Sequence, residues 1–218
     1  MKSKAVAIVL IISILSCEAS RILFMNPTFS KSHTIPLQAL AKILASRGHD
    51  VTFVSPFKLN ENVQNYREIQ LEVSAESLKN FDEFSKVMSE SNPLGVLTVA
   101  TKTIFNLGNE TLQSTAIRHL MDTEQFDLIV VGWFTNSFLV GLADHFKCPS
   151  VVFFSGSLFS MLHQMVGNPL AAADAPHAMS GRKEHSTFYH RLTNFFFYAF
   201  DVLVIRNYFN YRSKVVYE

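Results

Sequence analysis

A histidine stands at the end of the run Ser30-Lys31-Ser32-His33. Imidazole is the side chain whose ordinary pKa lies nearest neutrality, so it can take a proton from a hydroxyl held beside it. A loop histidine also serves as a solvated residue or a helix cap, and its position alone does not separate these roles. Two aromatic stretches follow much later: Trp133-Phe134 with Phe138, and Phe153-Phe154 with Phe159. Ser155, Ser157 and Ser160 add hydroxyls beside the second. Such rings fill ordinary cores, and they also wall apolar small-molecule pockets, where a few polar groups fix orientation. The other histidines show no metal-ligand spacing, and there is neither a G-x-G-x-x-G run nor a P-loop lysine, so no metal or bound cofactor is expected. Asn109-Glu110-Thr111 is a sequon with a permitted middle residue, which makes Asn109 the expected glycosylation site, whereas Asn26-Pro27-Thr28 is blocked by its proline.

These residues need a scaffold, and hydrophobic periodicity supplies one. Residues 21–25 form a short apolar run ended by Asn26-Pro27, the pattern of a buried strand and a loop. Leu37, Leu40, Ala41 and Leu44 then fall at helical spacing, predicting an amphipathic helix from Thr34 with Pro36 in its first turn and Gly48 at its end. Residues 51–54 are a second strand. Strand, helix and strand in close succession make a βαβ unit and a parallel sheet. A second such unit comprises a strand at 126–131, a helix at 137–146 and a strand at 150–154, while residues 66–73 offer one more strand. Residues 75–121 carry helical patterns broken at Asn92-Pro93 and at Gly108. The expectation is one α/β domain, a Rossmann-like doubly wound parallel sheet. In that architecture ligands sit beyond the carboxyl ends of the strands, which is where His33 and both aromatic stretches fall.

Composition narrows the field. The chain has 218 residues, 48% hydrophobic and 17% charged, with a formal net charge of +1. That is enough chain for a sizeable core and too apolar for disorder. The near-zero balance argues against a nucleic-acid partner, which calls for a basic excess. The 20 phenylalanines against a single tryptophan exceed what a plain core requires. Residues 1–19 read as a secretory signal peptide: Lys2 and Lys4, an apolar run of about 11 residues from Ala5, then Cys17 and Ala19 before the cut. The expected location is therefore the secretory pathway, in the lumen of the endoplasmic reticulum. With Cys17 removed, Cys148 stands alone and no internal disulfide is expected. Residues 195–205 are strongly apolar but interrupted by Asp201, too short to span a bilayer, and expected as a buried or membrane-facing helix.

The motif Asn26-Pro27-x-x-Ser30-x-Ser32-His33, followed by a helix that ends in Arg47-Gly48-His49-Asp50-Val51-Thr52, resembles the amino-terminal half of UDP-glycosyltransferases, in particular the insect enzymes. The resemblance continues through Phe126-Asp127-Leu128-Ile129-Val130, Pro149-Ser150-Val151-Val152 and Pro176…Ser180…Thr187-Phe188…Arg191…Asn194, nearly the whole mature chain. It implies the acceptor-binding amino-terminal domain (20–218) of a two-domain, GT-B-type hexosyltransferase of detoxification. Such an enzyme passes sugar from a UDP-sugar co-substrate to the hydroxyl of a small lipophilic acceptor. By the same resemblance His33 is the general base, and Ser32, Trp133, Phe134 and Ser155 are the acceptor-binding residues.

Two departures accompany it. Many relatives carry an acidic residue after the fourth strand that steadies the histidine; here Gly132 occupies that place. Asp127 lies five strand residues back, about 16 Å away, too far to substitute. The family's donor-binding signature and its carboxyl-terminal membrane anchor are also missing from these residues. The UDP-sugar is therefore expected to bind through a further domain, with membrane association only in a form that carries the anchor. The chain is expected to be a fragment or truncated form, inactive alone. The alternative is a non-catalytic protein that holds lipophilic ligands or pairs with full-length relatives.

Overall fold

The computed structural model describes residues 19–58, 62–89, 93–134, 136–156, 160–168, 172, 175–177 and 187–217. The expected signal peptide lies almost wholly outside the described residues, as do Ser157, Phe159 and Ser180. Five parallel strands form one sheet: β1 (Arg21–Met25), β2 (Asp50–Ser55), β3 (Tyr66–Gln70), β4 (Leu128–Gly132) and β5 (Ser150–Phe153), in the order β3-β2-β1-β4-β5. The chain winds outward from β1 to β3, returns to the other side of β1 and winds outward again. The reversal falls between β1 and β4. This is the expected α/β, Rossmann-like arrangement.

Strand alternation loads both faces of the sheet, as a parallel sheet requires. Ile22, Phe24, Val51, Phe53 and Val130 pack on one side against Leu37, Ala41 and Ala45 of helix α1 (Lys31–Ser46). Leu23, Met25, Val54, Ile129 and Val131 face the other side. There they meet Ile104 and Phe105 of α3 (Pro93–Gln113), Ile117 and Leu120 of α4 (Thr115–Thr123), and Leu142 and Phe146 of α5 (Gly141–Phe146). Helix α2 (Ala75–Ser89) packs along α3. Beyond β5 come α6 (Ser160–Met165), α7 (Phe188–Phe200), a π-helical turn at Asp201–Ile205 and α8 (Arg206–Tyr217).

Three expectations need correction. Helix α1 begins at Lys31, three residues before Thr34, because Ser30 is held in N-cap geometry by its neighbours; His33 therefore lies in the first helical turn, and Pro36 lies beyond that turn. Gly108 does not break α3. A Cβ there would meet the Phe138 ring at 2.0 Å, so the glycine makes room for a packed aromatic instead of ending the helix. Of the two alternatives for residues 195–205, the buried one is corrected: Phe195, Phe196 and Leu203 point outward, 56–68% exposed, while Asp201 is buried.

Asp201 points inward because it has a partner. Its Oδ2 lies 3.2 Å from His177 Nε2. Asn194 Oδ1 accepts the His177 backbone N–H at 2.7 Å, and its Nδ2 donates to the carbonyls of Ala172 and Ala175. The rings of Phe197 and Tyr198 flank His177. Asn194 and Asp201 thus fasten the 172–177 segment to the terminal helices. Among the described residues no helix is long and apolar enough to cross a membrane.

Candidate active site

The site lies where the sheet reverses, at the carboxyl ends of β1 and β4. Met25 pairs with Val131 and Gly132 pairs with Phe153, so Asn26, Gly132 and Phe153 follow one another across the sheet at a single level. His33 rises above that row from the first turn of α1. With Asn26, Thr28, Gly132, Trp133, Phe134, Phe153 and Ser155 it closes around about 190 Å³ of space, none of it wide enough for a water molecule. A ligand therefore enters only if the aromatic side chains turn aside. Roomier clefts of about 430 Å³ beside Gln38 and Lys58, and about 910 Å³ beside Leu71 and His119, do not include His33.

Four of the five site residues expected from sequence meet here: His33, Trp133, Phe134 and Ser155. Ser32 does not line the crevice; it is exposed on α1, its Oγ 2.8 Å from Ser30 Oγ and 3.4 Å from His33 Nδ1. Trp133 is almost wholly buried, and its indole N–H donates to Ser137 Oγ at 3.2 Å, so it is more wall than contact. Asn109 lies far along the chain on α3, exposed, while Thr111 of the same sequon is buried with its hydroxyl bonded to the Leu107 carbonyl.

Aromatic rings surround the histidine in an unbroken series. Phe134 meets the His33 ring edge-on at 5.1 Å and Phe154 lies 6.2 Å from it. Trp133 adjoins Phe154 at 5.2 Å, and Phe84 adjoins Phe134 at 6.2 Å. Phe81 and Phe29 extend the series beyond Phe84. Phe81 and Phe84 come from α2 and were not expected from sequence; their spacing of three marks one helical face, but nothing local says which surface that face meets.

Burial draws the His33 imidazole below its ordinary pKa, because the charged form loses hydration. The ring is therefore neutral at physiological pH and able to accept a proton. Its Nδ1 lies 2.8 Å from Ser30 Oγ. Position 132, where the resemblance implies an acidic partner, holds glycine; a Cβ there would press on the Asn26 amide and on Leu37 Cδ2, so a side chain fits only if both shift. Asp127 is engaged at the opposite end of the sheet, where its Oδ2 accepts the Arg21 backbone N–H at 2.7 Å. The floor of the crevice is held by amides. Asn26 Nδ2 donates to Thr34 Oγ1, Asn136 Nδ2 donates to the Gly132 carbonyl, and Asn136 Oδ1 accepts the Phe134 N–H. Among the described residues no cluster of His, Cys, Asp and Glu could hold a metal ion.

No protein-family model matches the chain. Among solved structures, CalG4, the calicheamicin glycosyltransferase, overlaps with a TM-score of 0.43 and 19% identity, covering 88% of this chain and 44% of that one. UDP-glycosyltransferase UGT4 of Dactylopius coccus is 26% identical over 181 residues, which is 82% of this chain and 35% of that protein. UDP-glycosyltransferase UGT5 of the same insect is 28% identical over 185 residues, with the same coverage of each chain. The chain thus spans about a third of the length of the curated relatives it matches. Over 82% of its residues, this chain is similar to insect UDP-glycosyltransferases.

Proposed function

We propose that this chain is the acceptor-binding part of a GT-B-type UDP-glycosyltransferase, with His33 as its general base. The observation that carries this reading is a half-buried imidazole, ringed by aromatics, at the reversal point of a parallel sheet, where α/β proteins place ligands. A small lipophilic acceptor would displace Phe134 and Phe154 and bring its hydroxyl to His33. As that oxygen bonds the anomeric carbon of the sugar, the bond from this carbon to the phosphate oxygen breaks. UDP departs with the electron pair, and the hydroxyl proton passes to the imidazole. Donor contacts would come from a part of the protein outside these residues. Entry into the secretory pathway and glycosylation at Asn109 belong to the same proposal.

The test is sugar transfer by a longer form that carries the donor-binding part. His33→Ala should abolish turnover while acceptor binding survives; unchanged turnover would remove His33 from the role of base. A second reading, a lipophilic-ligand carrier without catalysis, is favoured by glycine at position 132, which leaves the imidazole without a carboxylate there. Acceptor binding with no transfer by that longer form would decide for it.

A further inference from the structure

We propose that Ser30 is the positioning residue of His33: its hydroxyl accepts the Nδ1 proton, which leaves the Nε2 lone pair facing the cleft. This deepens the general-base reading and rests on it.

Ser30 is the N-cap of α1, and an N-cap serine ordinarily turns its oxygen to a backbone N–H of the first turn. This one makes no such bond. Its hydroxyl lies instead 2.8 Å from His33 Nδ1 and 2.8 Å from Ser32 Oγ. The backbone of Ser30 is held on both sides. Its N–H donates to Thr28 Oγ1 at 3.2 Å, and its carbonyl accepts from Thr34 Oγ1 at 3.0 Å. Thr34 Oγ1 in turn accepts from Asn26 Nδ2 at 3.0 Å. Asn26, Thr28 and Thr34 are all buried, so the hydroxyl is set by a fixed frame and not by a mobile loop.

The base role gives the direction of the bond. If Nδ1–H donates to Ser30, the Ser30 hydroxyl donates to Ser32, and the exposed Ser32 hydroxyl is left to water. In the reverse order Ser30 donates to Nδ1 and the ring proton sits on Nε2, where it occupies the lone pair that a general base must offer. Glycine at 132 supplies no carboxylate to set the tautomer instead. A hydroxyl sets the tautomer as a carboxylate would, but it brings no charge to offset the imidazolium formed when the acceptor proton arrives.

The test reads the tautomer directly, by long-range ¹H–¹⁵N correlation NMR on the 218-residue chain. The chain is labelled at histidine, with His33 assigned through His33→Gln and spectra taken at mildly alkaline pH. The expected result is Nδ1–H in the wild type and in Ser30→Thr. In Ser30→Ala the proton should move mainly to Nε2 while thermal unfolding stays in place, since no capping bond is lost. Nε2–H in the wild type, or no change in Ser30→Ala, would overturn the assignment. In the longer form, Ser30→Ala should lower kcat about tenfold, the scale of one hydrogen bond, with acceptor KM unchanged and Ser30→Thr restoring the rate. A loss carried by KM, or one that threonine does not restore, would also overturn it. The NMR readout needs no substrate, so the two ideas fail separately. Turnover indifferent to His33 would remove the general base and leave the Ser30 bond standing.

Discussion

Two histidines of this chain have partners that suggest proton transfer, and they could hardly be more differently placed. His177 has the carboxylate: Asp201 lies 3.2 Å from its Nε2, and Phe197 and Tyr198 enclose the ring. His33 has only hydroxyls beside Nδ1, yet it is half-buried at the carboxyl end of the sheet. His177 is 4% exposed, and its backbone N–H and the ring nitrogen nearest Asp201 are both committed to holding 172–177 on the terminal helices. A proton acceptor must reach its donor in some substrate pose, and a sealed ring cannot. The comparison teaches that a His–carboxylate pair is not in itself a mark of catalysis; access and surroundings decide. The pair at His177 fastens structure, whereas the ring at His33 lines the crevice in which the proposed function places a base.

The contrast can be broken at several points. The largest effect is expected for His33→Ala in a longer form: turnover should fall by about 10²- to 10⁴-fold, the usual worth of a positioned base. His177→Gln in the same form should leave most of kcat intact, and a comparable loss from both would erase the distinction. Next is Gly132→Asp, which gives His33 a carboxylate like that of His177. Overpacking alone costs about 1–3 kcal/mol, and here the new group presses on the buried Asn26 amide. Denaturant unfolding should therefore show a loss near the top of that range with no gain in rate; a stable, faster variant would mean that the site does accept an acid. Asp201→Ala should cost about 1–3 kcal/mol by removing the acceptor beside a buried ring nitrogen of His177, against less than about 0.5 kcal/mol for His33→Ala. The smallest signal is a pH effect. Burial lowers the pKa of His33, so the neutral form persists below the ordinary histidine value, and the acid limb of kcat/KM should lie on the acid side of it. A limb displaced to the alkaline side would contradict the desolvated setting.

Much of the scaffold was legible in sequence because it is written in local patterns. The apolar runs of β1, β2, β4 and β5 and the helical spacing of Leu37, Leu40, Ala41 and Leu44 are local patterns of this kind. Glycine at 48 ends α1 with a positive φ of 95°, as its place after a periodic stretch implies. What was misread involved distant partners. Gly108 looks like a breaker until the ring of Phe138, thirty residues on, is seen to occupy the missing Cβ. Asp201 looks like an interruption of an apolar helix until His177 arrives to meet it. The site divides in the same way. His33, Trp133, Phe134 and Ser155 follow from the rule that strand ends carry ligands, whereas Phe81 and Phe84 enter through the packing of α2, which no periodicity announces. Ser30 was legible only as part of the run before the helix and not as the neighbour of an imidazole, because nothing local says which atom its hydroxyl meets.

The row formed by Asn26, Gly132 and Phe153 has a consequence for how occupancy of the crevice would be felt. Asn26 lies more than a hundred positions before Gly132 and Phe153, beside the most non-local strand pairing of the sheet, β1 with β4. A molecule seated on them touches three strands at once and no single loop. Its binding free energy should therefore be returned as resistance of the whole sheet to unfolding, growing with the logarithm of ligand concentration, and not as the stiffening of one local segment. Amide hydrogen exchange would register this as slower global opening across β1, β4 and β5 together. The same arrangement implies that the crevice exists only in a chain in which β1 has paired with β4 and β4 with β5.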